Sequence, residues 1–179
     1  MTVTKFDEWV YLPENINTHY EYIGGEAIQV VSNNKSSHIA IEVAFLIKDY
    51  LRKNKLSGLV TGSDGGYIIG AQRYIPDVAY TSSQKAPYAL DAGYSPIAPD
   101  LVVEVISNPA NSAQMNDLII KVPNYLAVGI VVWVIDPDAE QVLVYEPQQA
   151  VKIMSEEMTL TGGSVLPNFA VSVADLFAE

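Results

Sequence analysis

Two apolar segments, LVVEVI (101–106) and IVVWVI (130–135), constrain the fold of this chain more than anything else in it. Each carries branched aliphatic residues on both alternating faces, the pattern of an inner strand covered on two sides. Between them a helical pattern runs from about Ser112 to Val128 and is closed by Gly129. Strand, helix, strand in this order predicts a right-handed crossover between parallel neighbours. Pro123 lies inside the helical pattern and predicts a kink or a break there.

The flanking sequence adds antiparallel elements. Residues 20–32, YEYIGGEAIQVVS, read as two short strands around the Gly24-Gly25 pair. From Ser36 to about Asn54, Ile39, Val43, Leu46, Ile47, Tyr50 and Leu51 recur near a 3.6-residue period, an amphipathic helix with a serine cap. Short strands follow in GLVTGS, GGYIIG and YIPDVAYT (74–81), then a Ser-, Ala- and Pro-rich loop over 82–98. After IVVWVID, a turn at Pro137-Asp138 leads into QVLVYE as an antiparallel partner, and the tail VLPNFAVSVADLFAE predicts a short strand and a final helical turn. The fold class is α/β, a mixed, twisted sheet flanked by helices. The expected organisation is a single domain over 1–179, with a core at about 20–146 and a C-terminal extension at 147–179.

The chain has no cysteine, which excludes thiol catalysis, Cys-ligated zinc and disulfides. Its start lacks a basic region followed by an apolar one, and IVVWVI is too short to cross a bilayer. A cytoplasmic protein with no membrane partner is expected. With 10 Lys and Arg against 21 Asp and Glu, the net charge of -11 opposes binding to nucleic acid over most of the surface. The exception is the segment with Lys35, Lys48, Arg52, Lys53 and Lys55, which is either a solvated helix face or, over 48–55, the lining of a basic groove.

Glu104 stands between Val103 and Val105, in a strand that otherwise reads as buried. An ionised carboxylate there needs a cation, a proton or an opening to solvent, because leaving it buried and unpaired is strongly unfavourable. Asp77 lies on the preceding predicted strand, so the two acids can sit side by side. Carboxylates about 4 Å apart repel by roughly 4 kcal/mol at an effective dielectric of 20, a penalty that a hard divalent cation removes. Asp77 could instead cap a turn after Pro76, and Lys121 could pair with Asp117 on its own helix. Asp100 and Asp136 read as turn residues at strand ends.

As an ordered set, R-x-x-PD-V-A (Arg73 to Ala79), PDLVVEVIS, Lys121 and Tyr125 before AVGI, and VVWVIDP resemble the bacterial Uma-two family, as do YEYIGGE and the helix opened by His38. That family is a branch of the PD-(D/E)XK restriction-endonuclease-like superfamily, and the resemblance spans roughly 20–146. It implies a restriction-endonuclease-like fold and an endonuclease that hydrolyses DNA phosphodiester bonds with Mg²⁺, or with Mn²⁺ in its place. Asp77 and Glu104 would be the metal ligands, with the Val105 carbonyl as a third. The signature lysine two residues after the acid is Ile106 here, a departure, and the resemblance implies that Lys121 on the following helix would stand in for it. Glu26 and Glu42 are candidates for outer ligands or for holding a metal-bound water, and His38 for a phosphate contact. Cutting both strands requires two sites, so a homodimer is expected. The competing expectation is a nuclease fold without turnover, acting as a binding or regulatory module, which Ile106 in the lysine position and Pro123 within the helix that carries Lys121 favour, while the acidic balance argues against the nuclease. A two-acid glycosidase is a weaker third reading.

Overall fold

In the computed structural model, which describes every residue except Ala92 and Glu179, the two apolar segments are the paired centre of the molecule. They form β8 (Leu101–Val105) and β9 (Val131–Asp136), parallel and in register from Leu101 opposite Val131 to Val105 opposite Ile135. Antiparallel strands extend both sides. β6 (Val78–Ser82) and β3 (Gly58–Thr61) lie beyond β8, and β10 (Gln141–Tyr145) and β11 (Lys152–Ser155) beyond β9, giving a six-stranded sheet β11-β10-β9-β8-β6-β3.

Alternation along the central strands divides the interior into two layers. Val103, Val105, Trp133 and Ile135 face α2 (Asn34–Lys53), meeting Ile39, Val43 and Ile47. Ala79, Val102, Val132 and Val134 face the other way, towards Val122 and Tyr125 of α3 (Ser112–Ala127). Each such aliphatic side chain contributes about 1.5–3 kcal/mol by leaving water, which is why the two-faced valine pattern leads to a sheet between helices.

A second sheet, β2-β1-β5-β4-β7, packs against the α3 side. Its strands are β1 (Tyr20–Ile23), β2 (Glu26–Gln29), β4 (Gly66–Ile69), β5 (Gln72–Tyr74) and β7 (Tyr94–Ser95). The β1–β2 hairpin turns on Gly24 and Gly25, both at positive φ (59° and 100°), the backbone that a tight two-residue turn requires. The long loop expected over 82–98 contains β7, which pairs in parallel with β4; Ala92 of that stretch lies outside the described residues.

Several local expectations change. The cap of α2 is Asn33, whose Oδ1 accepts from the Ser36 N–H at 2.9 Å, while Ser36 is buried in the first turn. Pro123 does not break α3, which continues to Ala127 before Gly129, at φ 83°, ends it. The sequence carries no clear period for α1 (Val3–Trp9), a seven-residue helix held by tertiary contacts. Its Phe6 is fully buried beside Tyr22 and Tyr94, and Asp7 accepts a two-pronged bond from Arg73 of β5, at 2.9 and 2.7 Å. Beyond residue 146, β11, β12 (Thr159–Gly162), β13 (Leu166–Ser172) and a closing 3-10 turn (Ala174–Leu176) send Leu160, Leu166, Phe169, Val173 and Leu176 into the α2-side core, where Phe169 meets Trp133.

Candidate active site

Glu104 faces α3 because it alternates with Val103 and Val105, which face α2. On α3, Lys121 and Tyr125 are one turn apart and point at the same strand. The Lys121 ammonium lies 2.7 Å from Glu104 Oε1, and the Tyr125 hydroxyl donates to that same oxygen at 2.8 Å. A second acid meets the ammonium from the other side: Lys121 Nζ donates to Glu21 Oε1 at 2.9 Å, and the Ile75 N–H donates to that oxygen at 2.6 Å. The Tyr74 ring lies below the ammonium, 5.6 Å from centroid to nitrogen, and the Asn124 amide donates to the Tyr74 hydroxyl at 2.8 Å.

Asp77 immediately precedes β6. Val78 pairs with Val103, which brings Asp77 across from Glu104, and the Val105 N–H donates to Asp77 Oδ2 at 2.7 Å. Among the described residues, nothing donates a hydrogen bond to Asp77 Oδ1 or Glu104 Oε2. Among the described residues no fully buried side-chain nitrogen or oxygen lacks a partner, so these two oxygens keep at least slight contact with solvent, although Glu104 is buried and Asp77 half-buried.

The electrostatics follow from this crowding. Burial pushes the Glu104 carboxyl up to about 7; Lys121 opposes that, while Glu21 and Asp77 add to it. Burial likewise raises Asp77, against the Val105 N–H and Lys121. For Lys121 burial works against the charge, but Glu104 and Glu21 outweigh it and hold the ammonium well above the ordinary lysine range. Burial also raises the Tyr74 hydroxyl, to about 12, and the Tyr125 hydroxyl.

Of the residues singled out in the sequence, Asp77, Glu104, Val105 and Lys121 come together. Lys121 makes no ion pair with Asp117; its partners are the two buried glutamates. Ile106, in the place of the signature lysine, is buried in the apolar cluster with Val122 and Tyr125. Exposed on β2, Glu26 makes no hydrogen bond with this group among the described residues, and the same holds for exposed His38 and half-buried Glu42 on α2, the helix across the sheet from α3. Lys48 and Arg52 line a concavity of about 290 Å³ with Gly58, the residue paired with Ser82 at the far end of β6 from Asp77. Asp100 accepts from the Ser82 N–H at 2.7 Å and pairs with Lys85, and Asp136 accepts from the N–H groups of Asp138 and Ala139 in a turn. No helix among the described residues is long and apolar enough to cross a membrane.

The residue that sequence reasoning missed is Glu21. A signal was present: Ile23 is apolar and two positions away, so period two puts Glu21 on the same inward face, the argument already applied to Glu104.

A mixed sheet with acids on adjacent strands and an amine from the crossover helix defines a restriction-endonuclease-like α/β fold. The chain belongs to the Uma2 family: residues 4–174 match the family described as "Putative restriction endonuclease", a longer span than the motifs alone cover. Its structure is similar to the crystal structure of "a putative nuclease belonging to DUF820" from Anabaena variabilis ATCC 29413, with 25% sequence identity, a TM-score of 0.80, and coverage of 99% of this chain and 97% of the other. None of the curated proteins matches.

Proposed function

We propose that the protein is a cytoplasmic Mg²⁺-dependent endonuclease that hydrolyses DNA phosphodiester bonds, with Asp77 and Glu104 holding the ion and Lys121 acting on the phosphate. The observation that carries this is the pair of carboxylates at facing positions, each with one oxygen held by a hydrogen bond and the other without a donor among the described residues. Mg²⁺ suits such a pair, because it takes one or two carboxylates, retains waters and completes its octahedron with substrate phosphate oxygens. Charge agrees as well: Asp77, Glu104 and Glu21 against Lys121 leave a formal excess of two negative charges, which one divalent ion balances. No group of three His, Asp or Glu side chains gathers to bind a metal among the described residues, so the remaining positions fall to the Val105 carbonyl, water and substrate.

Bound there, Mg²⁺ would polarise the scissile phosphate and lower the pKa of a coordinated water. The chain's own residues do the rest. Tyr125 and Lys121 fix Glu104 Oε1 and leave its other oxygen for the ion. The Val105 N–H does the same for Asp77, and it ties both acids to one strand. Lys121 has three ammonium protons and, among the described residues, two carboxylate partners, so one proton would remain to donate to a phosphate oxygen as negative charge builds on it. Manganese can take the place of magnesium at oxygen ligands of this kind. A homodimer would supply two such sites, one for each DNA strand.

The test is incubation of purified protein with supercoiled plasmid and Mg²⁺ or Mn²⁺, alongside chelator controls and the variants Asp77→Asn, Glu104→Gln and Lys121→Ala. Cleavage that requires metal and is lost in all three variants is expected. Cleavage retained by all three variants would place the activity elsewhere.

A second reading, a nuclease fold that binds or regulates without turnover, is favoured by the net charge of -11 and by the position of Lys48 and Arg52 at the far end of β6. Absence of cleavage across metals and nucleic acids would overturn the nuclease reading and favour this one.

A further inference from the structure

We infer that Glu21 is a positioning residue for Lys121: it holds the ammonium between the two sheets so that only one N–H remains for the substrate. The catalytic consequence rests on the nuclease reading above, whereas the hold itself does not. A lysine side chain has four rotatable carbons, and with Glu104 as its one partner the head could swing around that carboxylate. Glu21 removes this freedom. It belongs to β1, in the five-stranded sheet, while Glu104 belongs to β8, in the six-stranded one, and Lys121 reaches between them from α3.

Glu21 is itself anchored by main chain. Its Oε1 accepts from the Ile75 N–H at 2.6 Å, two residues before Asp77, as well as from Lys121 at 2.9 Å. The segment that presents one proposed metal ligand therefore also fixes the carboxylate that fixes the lysine. With Glu104 Oε1 2.7 Å away as a second carboxylate partner and the Tyr74 ring centroid 5.6 Å from the nitrogen, the ammonium has two charged partners among the described residues for its three N–H groups. A residue serving only to join the β1 hairpin to α3 would need none of this convergence on Asp77 and Glu104.

The test uses the full-length variants Glu21→Gln, which keeps the shape and an oxygen for Ile75, and Glu21→Asp, which keeps the charge but shortens the reach. Asp100→Asn, which breaks the remote Lys85 pair, serves as the comparison for a general loss of stability. Each protein is labelled with an amine-acylating ester under folded conditions, and the modification rate at Lys121 is read by mass spectrometry relative to exposed Lys35 and Lys152. Plasmid cleavage kinetics are measured in parallel.

Both Glu21 variants are expected to raise Lys121 labelling by about tenfold, as a buried charged contact is lost. They should also lower kcat by about tenfold or more with KM within about twofold, because a misaimed group costs rate rather than binding. Asp100→Asn should change neither. Unchanged Lys121 labelling in both variants overturns the inference. So does an equal rise in Asp100→Asn, or raised labelling with kcat intact. If the wild type cleaves nothing and labelling still rises selectively, the nuclease reading fails while the hold of Glu21 on Lys121 stands.

Discussion

Tyr125 and Glu104 are joined by a 2.8 Å hydrogen bond, hydroxyl to carboxylate, in the interior between α3 and the central sheet. The bond shares its acceptor oxygen with Lys121, so each donor offsets part of the cost of burying a carboxylate. Tyr125→Phe keeps the ring in its core cluster and removes only the donor. Stability should fall by about 1–2 kcal/mol, measured from urea unfolding curves. An unchanged midpoint would mean that Lys121 alone satisfies Glu104.

Removing the ammonium should cost more. Lys121→Met leaves Glu104 and Glu21 facing one another without a cation, and a broken buried pair typically costs about 3–5 kcal/mol. The loss should depend on pH. Glu104 already has a folded-state value raised to about 7, so its ionisation destabilises the fold as pH rises from the unfolded-state range through that value. Without Lys121 that effect grows. Urea unfolding should therefore show a larger deficit for Lys121→Met at about pH 8 than at about pH 5, and adding Glu21→Gln and Glu104→Gln should recover part of it.

The pair at the far end of β8 behaves in the opposite sense. Partial burial opposes the charge of Asp100, but Lys85 and the Ser82 N–H outweigh it and hold the carboxyl below its ordinary value of 3.8. A depressed folded-state value means that the stabilisation is complete above the unfolded value and is lost as pH falls through the folded one. The stability difference between wild type and Asp100→Asn should thus be steady at neutral pH and shrink below 3.8. Denaturant unfolding across that range checks it, and a difference that does not vary with acid would contradict it.

Metal binding can be read without catalysis. Mn²⁺ titrated into wild-type protein in a calorimeter should bind, and Asp77→Asn should weaken binding by about tenfold or more, since one of two charged ligands is lost. Equal affinity in the two proteins would remove Asp77 from the proposed ion site.

The C-terminal segment should prove to be part of the core. Phe169 is buried against Trp133 and Tyr50, and Phe169→Ala should destabilise by about 3–5 kcal/mol in thermal or urea unfolding. A change near zero would show that the tail folds on without contributing.

The central crossover was legible from the chain because period two and branched side chains report burial on both faces without reference to any partner. The Gly24-Gly25 hairpin and the turn at Asp136 were legible for a similar reason, since their chemistry is complete within four residues. α1 was not. Seven residues carry too little period to be seen, and its order comes from Phe6 and from Asp7, whose partner Arg73 lies 66 positions away. The cap is Asn33 and not the serine that the pattern predicts, because several good capping side chains compete there and only backbone geometry selects one.

The amino-acid sequence by itself determined that Glu104 would be an acid in a buried strand, and that it would need a partner; alternation and desolvation make that a local argument. Which partner it received was decided only by tertiary structure. Glu21 and Lys121 stand 100 residues apart on different elements, and nothing in the spacing of either encodes the 2.9 Å between them. That distance exists because one helix is packed between two sheets, and Coulomb interactions in a dry interior act on separation in space, not along the chain.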